Sequence, residues 1–214
     1  MTVTSSDLLA LASVGVVQFL AVMSPGPSFL VTMRTAIGRS RADGLRVALG
    51  LGCGTVIWAS ATLSGLDALF HLLPWLFVAM KLAGALYLLW LAITLWRHAA
   101  DPVALDAPAA TTRGSAFLEG LFTQLSNPKV AVFFGSIFVA MVPADRPAWM
   151  SLALVAIVGF NEVAWYSAVA TAFGGARLRG VYLRAKAGID RVTAGFLGLL
   201  GLRLLFGAFD GRSA

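Results

Sequence analysis

Two proline-centred breaks inside long apolar runs constrain this chain more than any other feature. The first is Met23-Ser24-Pro25-Gly26-Pro27-Ser28-Phe29; the second, about a hundred residues later, is Leu125-Ser126-Asn127-Pro128-Lys129. Proline removes a backbone donor and clashes with the preceding turn, so nearby carbonyls lose their helical partners. In hydrocarbon those groups cannot turn to water. Irregular backbone is tolerated there only where protein buries it or where it lines a wet cavity. Paired broken segments in matching places of two halves point to a transporter's binding site. A pair of structural kinks is the plainer alternative.

The apolar setting is what gives the breaks this meaning. Of 214 residues, 59% are hydrophobic and 12% are Asp, Glu, Lys or Arg, against about 25% charged in a soluble domain. With a mean hydropathy of +0.85, the chain belongs to the membrane class. The net charge of +6 does not indicate nucleic acid, because the basic residues lie in short links between apolar runs, where the positive-inside rule accounts for them. The first apolar run begins at Leu8 with no Lys or Arg before it and ends in Ser-Pro-Gly-Pro, unlike a cleaved signal peptide. The single cysteine, Cys53, can build no disulfide framework or zinc site; it reads as a small packing residue.

A membrane helix needs about 20 largely apolar residues. Six candidates meet this: 8–32, 47–66, 72–96, 116–142, 148–173 and 192–209. A polar link with Asp67, His71 and Pro74 separates the second from the third. An Ala/Pro-rich linker covers 98–115, and a basic loop precedes the sixth. The links after the first, third and fifth segments hold 4, 2 and 5 basic residues, while the opposite side holds Arg146 and Arg212. That bias predicts those three links in the cytoplasm and both termini outside. Gly50 and Gly54 form a small-xxx-small pair that suits close helix contacts, between or within subunits of a homo-oligomer. The six tryptophans, Trp58, Trp75, Trp90, Trp96, Trp149 and Trp165, read mostly as an interfacial belt.

The run from Leu82 to Leu91 aligns with that from Thr193 to Leu202 on Gly84 and Gly195, and Ser24 aligns with Ser126. Each half then reads as broken helix, plain helix, Ala-Gly helix. The predicted fold is an all-α integral membrane protein forming one transmembrane domain over 1–214. Its six helices make two inverted three-helix repeats, about 8–97 and 116–209, with helices 1 and 4 broken at the proline motifs. Such repeats support alternating access about a central site.

Charges at membrane depth are expensive and by default functional. Lys81 and Glu162 lie within segments, and an acid at that depth suits a proton carrier; the alternative for Glu162 is a structural pair with Lys81, Lys129 or Arg203. Arg203 reads as snorkelling. Lys129 presents a point charge for a carboxylate. Gln18, Gln124 and Asn161 serve equally as packing or site-lining groups. Other functions lack their residues. No Ser/His/Asp or HExxH arrangement supports a hydrolase, so no enzyme is predicted. A thiol-disulfide conductor needs a partner for Cys53. A metal exporter needs clustered acids or histidines, and His71 and His98 lie at segment ends; one Glu with backbone carbonyls keeps it as the alternative. No cofactor or metal site is predicted.

Ser24-Pro25-Gly26-Pro27-Ser28-Phe29, the following Arg-rich link with Gly38-Arg39 and Gly44, Lys81 with the Leu82–Leu91 run, and Asn127-Pro128-Lys129 with Phe133-Phe134 resemble, in order, the motifs of LysE/RhtB amino-acid exporters. The resemblance covers nearly the whole chain; Asn161-Glu162 is not part of it. It implies a bacterial inner-membrane exporter of amino acids or small derivatives, driven by the proton gradient, with protons, lipid and the amino acid as partners. The expected binding residues are Ser24, Pro25, Gly26, Pro27, Asn127, Pro128 and Lys129. Half-helix amides would attract the substrate carboxylate, freed carbonyls near Ser24 and Asn127 would take its ammonium, and Lys81 and Glu162 would couple protonation to the switch.

Overall fold

The structure, a computed structural model, describes residues 4–72, 74–102, 115–143, 146–172 and 176–209, all helices and short links. In chain order the helices are α1 (Ser5–Met23), α2 (Pro27–Gly38), α3 (Arg41–Leu72), α4 (Pro74–Arg97), α5 (Ala116–Leu125), α6 (Pro128–Met141), α7 (Ala148–Ala172) and α8 (Ala176–Phe209).

Both breaks fall where the sequence places them, for one local reason. A residue before proline is pushed out of the helical region by the proline ring. Ser24 (φ −69°, ψ 126°), Gly26 (φ −154°, ψ −166°) and Asn127 (φ −83°, ψ 105°) each precede a proline and are extended. Pro27 and Pro128 then open α2 and α6 from their first turns, where the missing N–H would have had no helical partner anyway.

Three helical stretches among the described residues are long and apolar enough to cross a membrane: Ser5–Met23, Arg41–Gly65 and Ala148–Ala172. At 1.5 Å per residue, the 19 residues of α1 reach about 28 Å, close to a full hydrocarbon core. The first break therefore falls at the end of a span. The second falls inside its segment, between helices of 10 and 14 residues.

Two links expected in the sequence are helical. α3 runs through Asp67 and His71 to Leu72, and Pro74, not the polar residues, marks the next helix. α8 begins at Ala176, so the basic stretch before the sixth segment is helix, not loop. Its Ala, Leu, Arg and Lys are good helix formers, and charge ends a membrane span without ending a helix. Residues 103–114 of the expected linker lie outside the described residues.

Packing divides into two apolar clusters. One is built around Val14, Leu88, Ile137, Phe138, Leu154 and Leu197; the other around Phe29, Met33, Leu51, Tyr166 and Val169. α4 packs on α8, and α3 packs on α5 and α7. Gly50 and Gly54 act within the chain: a Cβ on Gly50 would collide with the Phe117 carbonyl, and one on Gly54 would lie 2.7 Å from Gln124 Cβ. Gly120 of α5 lies equally close against the Val47 carbonyl. The link before α3 is pinned to α5 by Arg39 and Glu119 at 3.2 Å. Gly84 sits against Ser136, whereas a Cβ on Gly195 would meet nothing, so the two aligned glycines pack differently. Cys53 is exposed rather than packed; its neighbours Gly50 and Gly54 occupy the contact face. Trp58, Trp149 and Trp165 pack against the two clusters. Trp90 and Trp96 are exposed, and Trp75 lies outside the described side chains.

Candidate functional site

Where the two clusters meet, four helices each carry a buried polar residue between apolar ones. Gln18 lies between Val17 and Ala21 on α1. Thr55 lies between Leu51 and Ala59 on α3, Gln124 at the end of α5, and Glu162 between Val158 and Tyr166 on α7. An unpartnered polar group at such depth costs about 1–3 kcal/mol, so these four must meet, and they do.

Glu162 is the centre. Its Oε1 accepts from Gln124 Nε2 at 2.8 Å, and its Oε2 accepts from Gln18 Nε2 at 3.2 Å. Gln124 Nε2 also donates to Thr55 Oγ1 at 2.7 Å, and Gln124 Oε1 accepts from Ser28 Oγ at 2.8 Å. Asn161, next to Glu162 on α7, holds Gln18 from behind: its Nδ2 donates to Gln18 Oε1 at 2.8 Å and to the Gly15 carbonyl at 3.0 Å. The carboxylate is thus oriented by two amides fixed by further bonds. Of the cations weighed as its structural partner, Lys129 is one whose field reaches Glu162. Arg203 is exposed on α8, in keeping with a snorkelling residue.

This network forms one wall of a cavity of about 50 Å³. One water needs about 10–15 Å³ on the same measure, so the space suits a few waters or a small polar solute. Ser24, Gly26, Pro27 and Ser28 line it from the first break, and Asn127 and Lys129 from the second; Gln18, Gln124, Glu162 and Tyr166 complete the polar side. Val22, Val130, Phe133 and Phe134 form the apolar side. The two breaks, distant in sequence, therefore face one space.

Their free groups differ in kind. Asn127 Oδ1 caps α6 by accepting from Lys129 N at 3.1 Å, while its side-chain NH₂, on a residue 8% exposed, has no partner among the described residues. The Lys129 ammonium likewise makes no hydrogen bond or ion pair there, and Glu162 and Asp190 are the charges whose fields reach it. α2 has Gly26 as its N-cap with no side-chain cap, and Gly26, Pro27 and Ser28 line the cavity, which sets the positive end of a helix dipole beside it. Three carbonyls at or beside the breaks have partners. Met23 O accepts from Tyr182 OH, Leu20 O from Thr193 Oγ1, and Asn127 O from the Val130 amide.

Of the residues expected at a site, Ser24, Gly26, Pro27, Asn127, Lys129 and Glu162 come together; Pro25 and Lys81 do not line the cavity. The Pro128 side chain lies outside the described residues. Thr55, Tyr166 and Asp190 were not singled out by the sequence, and Ser28 only as part of the first break. A Ser, Thr or Tyr within an apolar run carries no signal until its neighbours in space are known. Among the described residues no group of three or more His, Cys, Asp or Glu gathers as a metal site would.

A helical membrane protein whose broken helices converge on a small cavity with a free cation and a held carboxylate has the make-up of a solute translocator. Comparison with known proteins makes that specific: residues 19–208 match the LysE type translocator model, and the chain belongs to that family. It is 32% identical over 202 residues to the threonine efflux protein of Escherichia coli K12, covering 92% of this chain and 98% of that one. It is 28% identical to the leucine efflux protein of Enterobacter sp. strain 638, over 85% and 86% of the two chains. It is 34% identical to the homoserine/homoserine lactone efflux protein of Salmonella typhimurium, over 67% and 68%. No solved structure matches.

Proposed function

We propose that this protein is a secondary exporter of small neutral amino acids or their derivatives across the bacterial inner membrane, coupled to protons by antiport. The observation that carries this reading is the pairing, across one small cavity, of an unengaged donor set with an oriented carboxylate. Lys129, the Asn127 amide and the α2 amides form a cradle for the substrate carboxylate. Glu162 is the acceptor for the substrate ammonium or for a proton, one replacing the other. That exclusion is the coupling: an acid that binds either a proton or an ammonium, and not both, exchanges them across the membrane. The Leu20, Met23 and Asn127 carbonyls, already engaged, are left out of substrate binding, and Lys81 acts on the switch from outside the cavity. Threonine, leucine and homoserine, the solutes in the relatives' names, share the zwitterionic or amino head that this arrangement fits, and the Phe133–Phe134 wall suits an uncharged side chain.

The finer architecture goes with this reading: six spans in two inverted repeats, basic links in the cytoplasm, and both termini outside. The like order of a broken segment followed by two long helices in each half supports it.

The test is export from cells overexpressing the chain and loaded with a panel of dipeptides, with and without a protonophore. Selective external accumulation of small neutral amino acids, lost with protonophore, is expected. No amino acid leaving the cells, with the protein present in the membrane, would end the assignment.

A further inference from the structure

Lys186 and Asp190 are a buried ion pair that the cavity does not contain. Tyr182, Lys186, Asp190 and Thr193 recur at helical spacing and share one face of α8. Three of them hold the end of α1. Tyr182 OH donates to Met23 O at 2.7 Å, Asp190 Oδ1 accepts from Ser24 Oγ at 2.8 Å, and Thr193 Oγ1 donates to Leu20 O at 3.1 Å. Lys186 Nζ then binds Asp190 Oδ2 at 3.0 Å and the His98 and Ala99 carbonyls at 3.0 and 2.9 Å. Lys186 and Asp190 are 8% and 3% exposed. A pair taken so far out of water persists only when further hydrogen bonds satisfy it, and here those bonds go to the first break and to the turn after α4. Among the described residues none of α8 lines the cavity, but Ser24 does.

We propose that Asp190, clamped by Lys186, is a positioning residue that latches the first break shut. While Ser24 is held, the cavity wall on the side of the basic half of α8 is closed; substrate enters from that side when Ser24 and Asp190 part. The inference rests on the export reading for its direction, and its test does not require knowing the solute.

The test uses the full chain in membrane vesicles, in a Cys53→Ser background because Cys53 is exposed. Ala21→Cys, in the cavity lining, reports access of a membrane-impermeant maleimide added from either face. Ser24→Ala and Asp190→Asn should each speed labelling from the basic face about tenfold, the worth of one charge-assisted hydrogen bond, and Ser24→Thr should keep it slow. A second reporter, Leu154→Cys, lies in the core and should not change. Unchanged rates in both variants, or equal acceleration from both faces or at the Leu154 position, would overturn the latch. Latch-dependent labelling in a chain that exports no amino acid would preserve this inference and remove only the substrate assignment.

Discussion

The two breaks arise from the same local chemistry and are completed in opposite ways. In both, an extended residue precedes a proline that opens the next helix. The second break closes on itself: Asn127 caps α6 with its own side chain, and the Ser126 and Asn127 amides bond back to α5 carbonyls. The first has no side-chain cap, and its loose groups are held from another helix by Tyr182, Asp190 and Thr193. A self-capped break is a rigid platform on which Lys129 is presented. A break that depends on a distant helix moves when that helix lets go. The difference suggests a division of labour, with binding charge on the second break and motion at the first.

The comparison is broken hardest at Lys129. Lys129→Met should lower export by about 30-fold or more, the usual loss when one member of a desolvated charge contact is removed. Transport assays in vesicles read this, and near-normal export would place the carboxylate elsewhere. Glu162→Gln keeps the size of the side chain but binds no proton, and sets an NH₂ against the Gln18 or Gln124 donor; export should become insensitive to protonophore, and an unaltered protonophore response would mark Glu162 as structural. The prolines sharpen the contrast between the breaks. Pro128→Ala removes the sole proline of the second break, whereas Pro25→Ala leaves Pro27 in place. Pro128→Ala should therefore depress export more while both proteins still insert, and the reverse order would show that Pro27 alone does not keep the first break. Gly50→Ala tests the frame under both, since its Cβ meets the Phe117 backbone. A loss of about 1–3 kcal/mol is expected from overpacking, read as a lower unfolding temperature in detergent. The smallest effect belongs to Thr4→Ala at the far end of α1. The loss of its reciprocal cap with Asp7 should cost about 1 kcal/mol and leave export unchanged.

The breaks were legible because proline acts on its immediate neighbour whatever the surroundings. Lys129 and Glu162 were legible because charge is rare in apolar runs. Gln18, Gln124 and Asn161 stood out as polar but undecided between packing and lining; the fold divides them, two at the cavity and one behind it. Asp190 was hidden by its setting in a basic stretch that reads as a loop, and Lys186 was counted only as one more interfacial cation. Helix ends suffered in the same way: charge signals the membrane boundary, and α3 and α8 run on past it.

By itself, then, the sequence determined the membrane class, the helical content, the two break positions and the family, because hydropathy and proline geometry are local properties. Only the tertiary structure decided that the two breaks face one cavity, that two amides hold Glu162, and that α8 secures Ser24. Those are contacts between residues 38 to 166 apart in the chain, and they depend on how close helices approach at points such as Gly50 and Gly54, which no local pattern specifies.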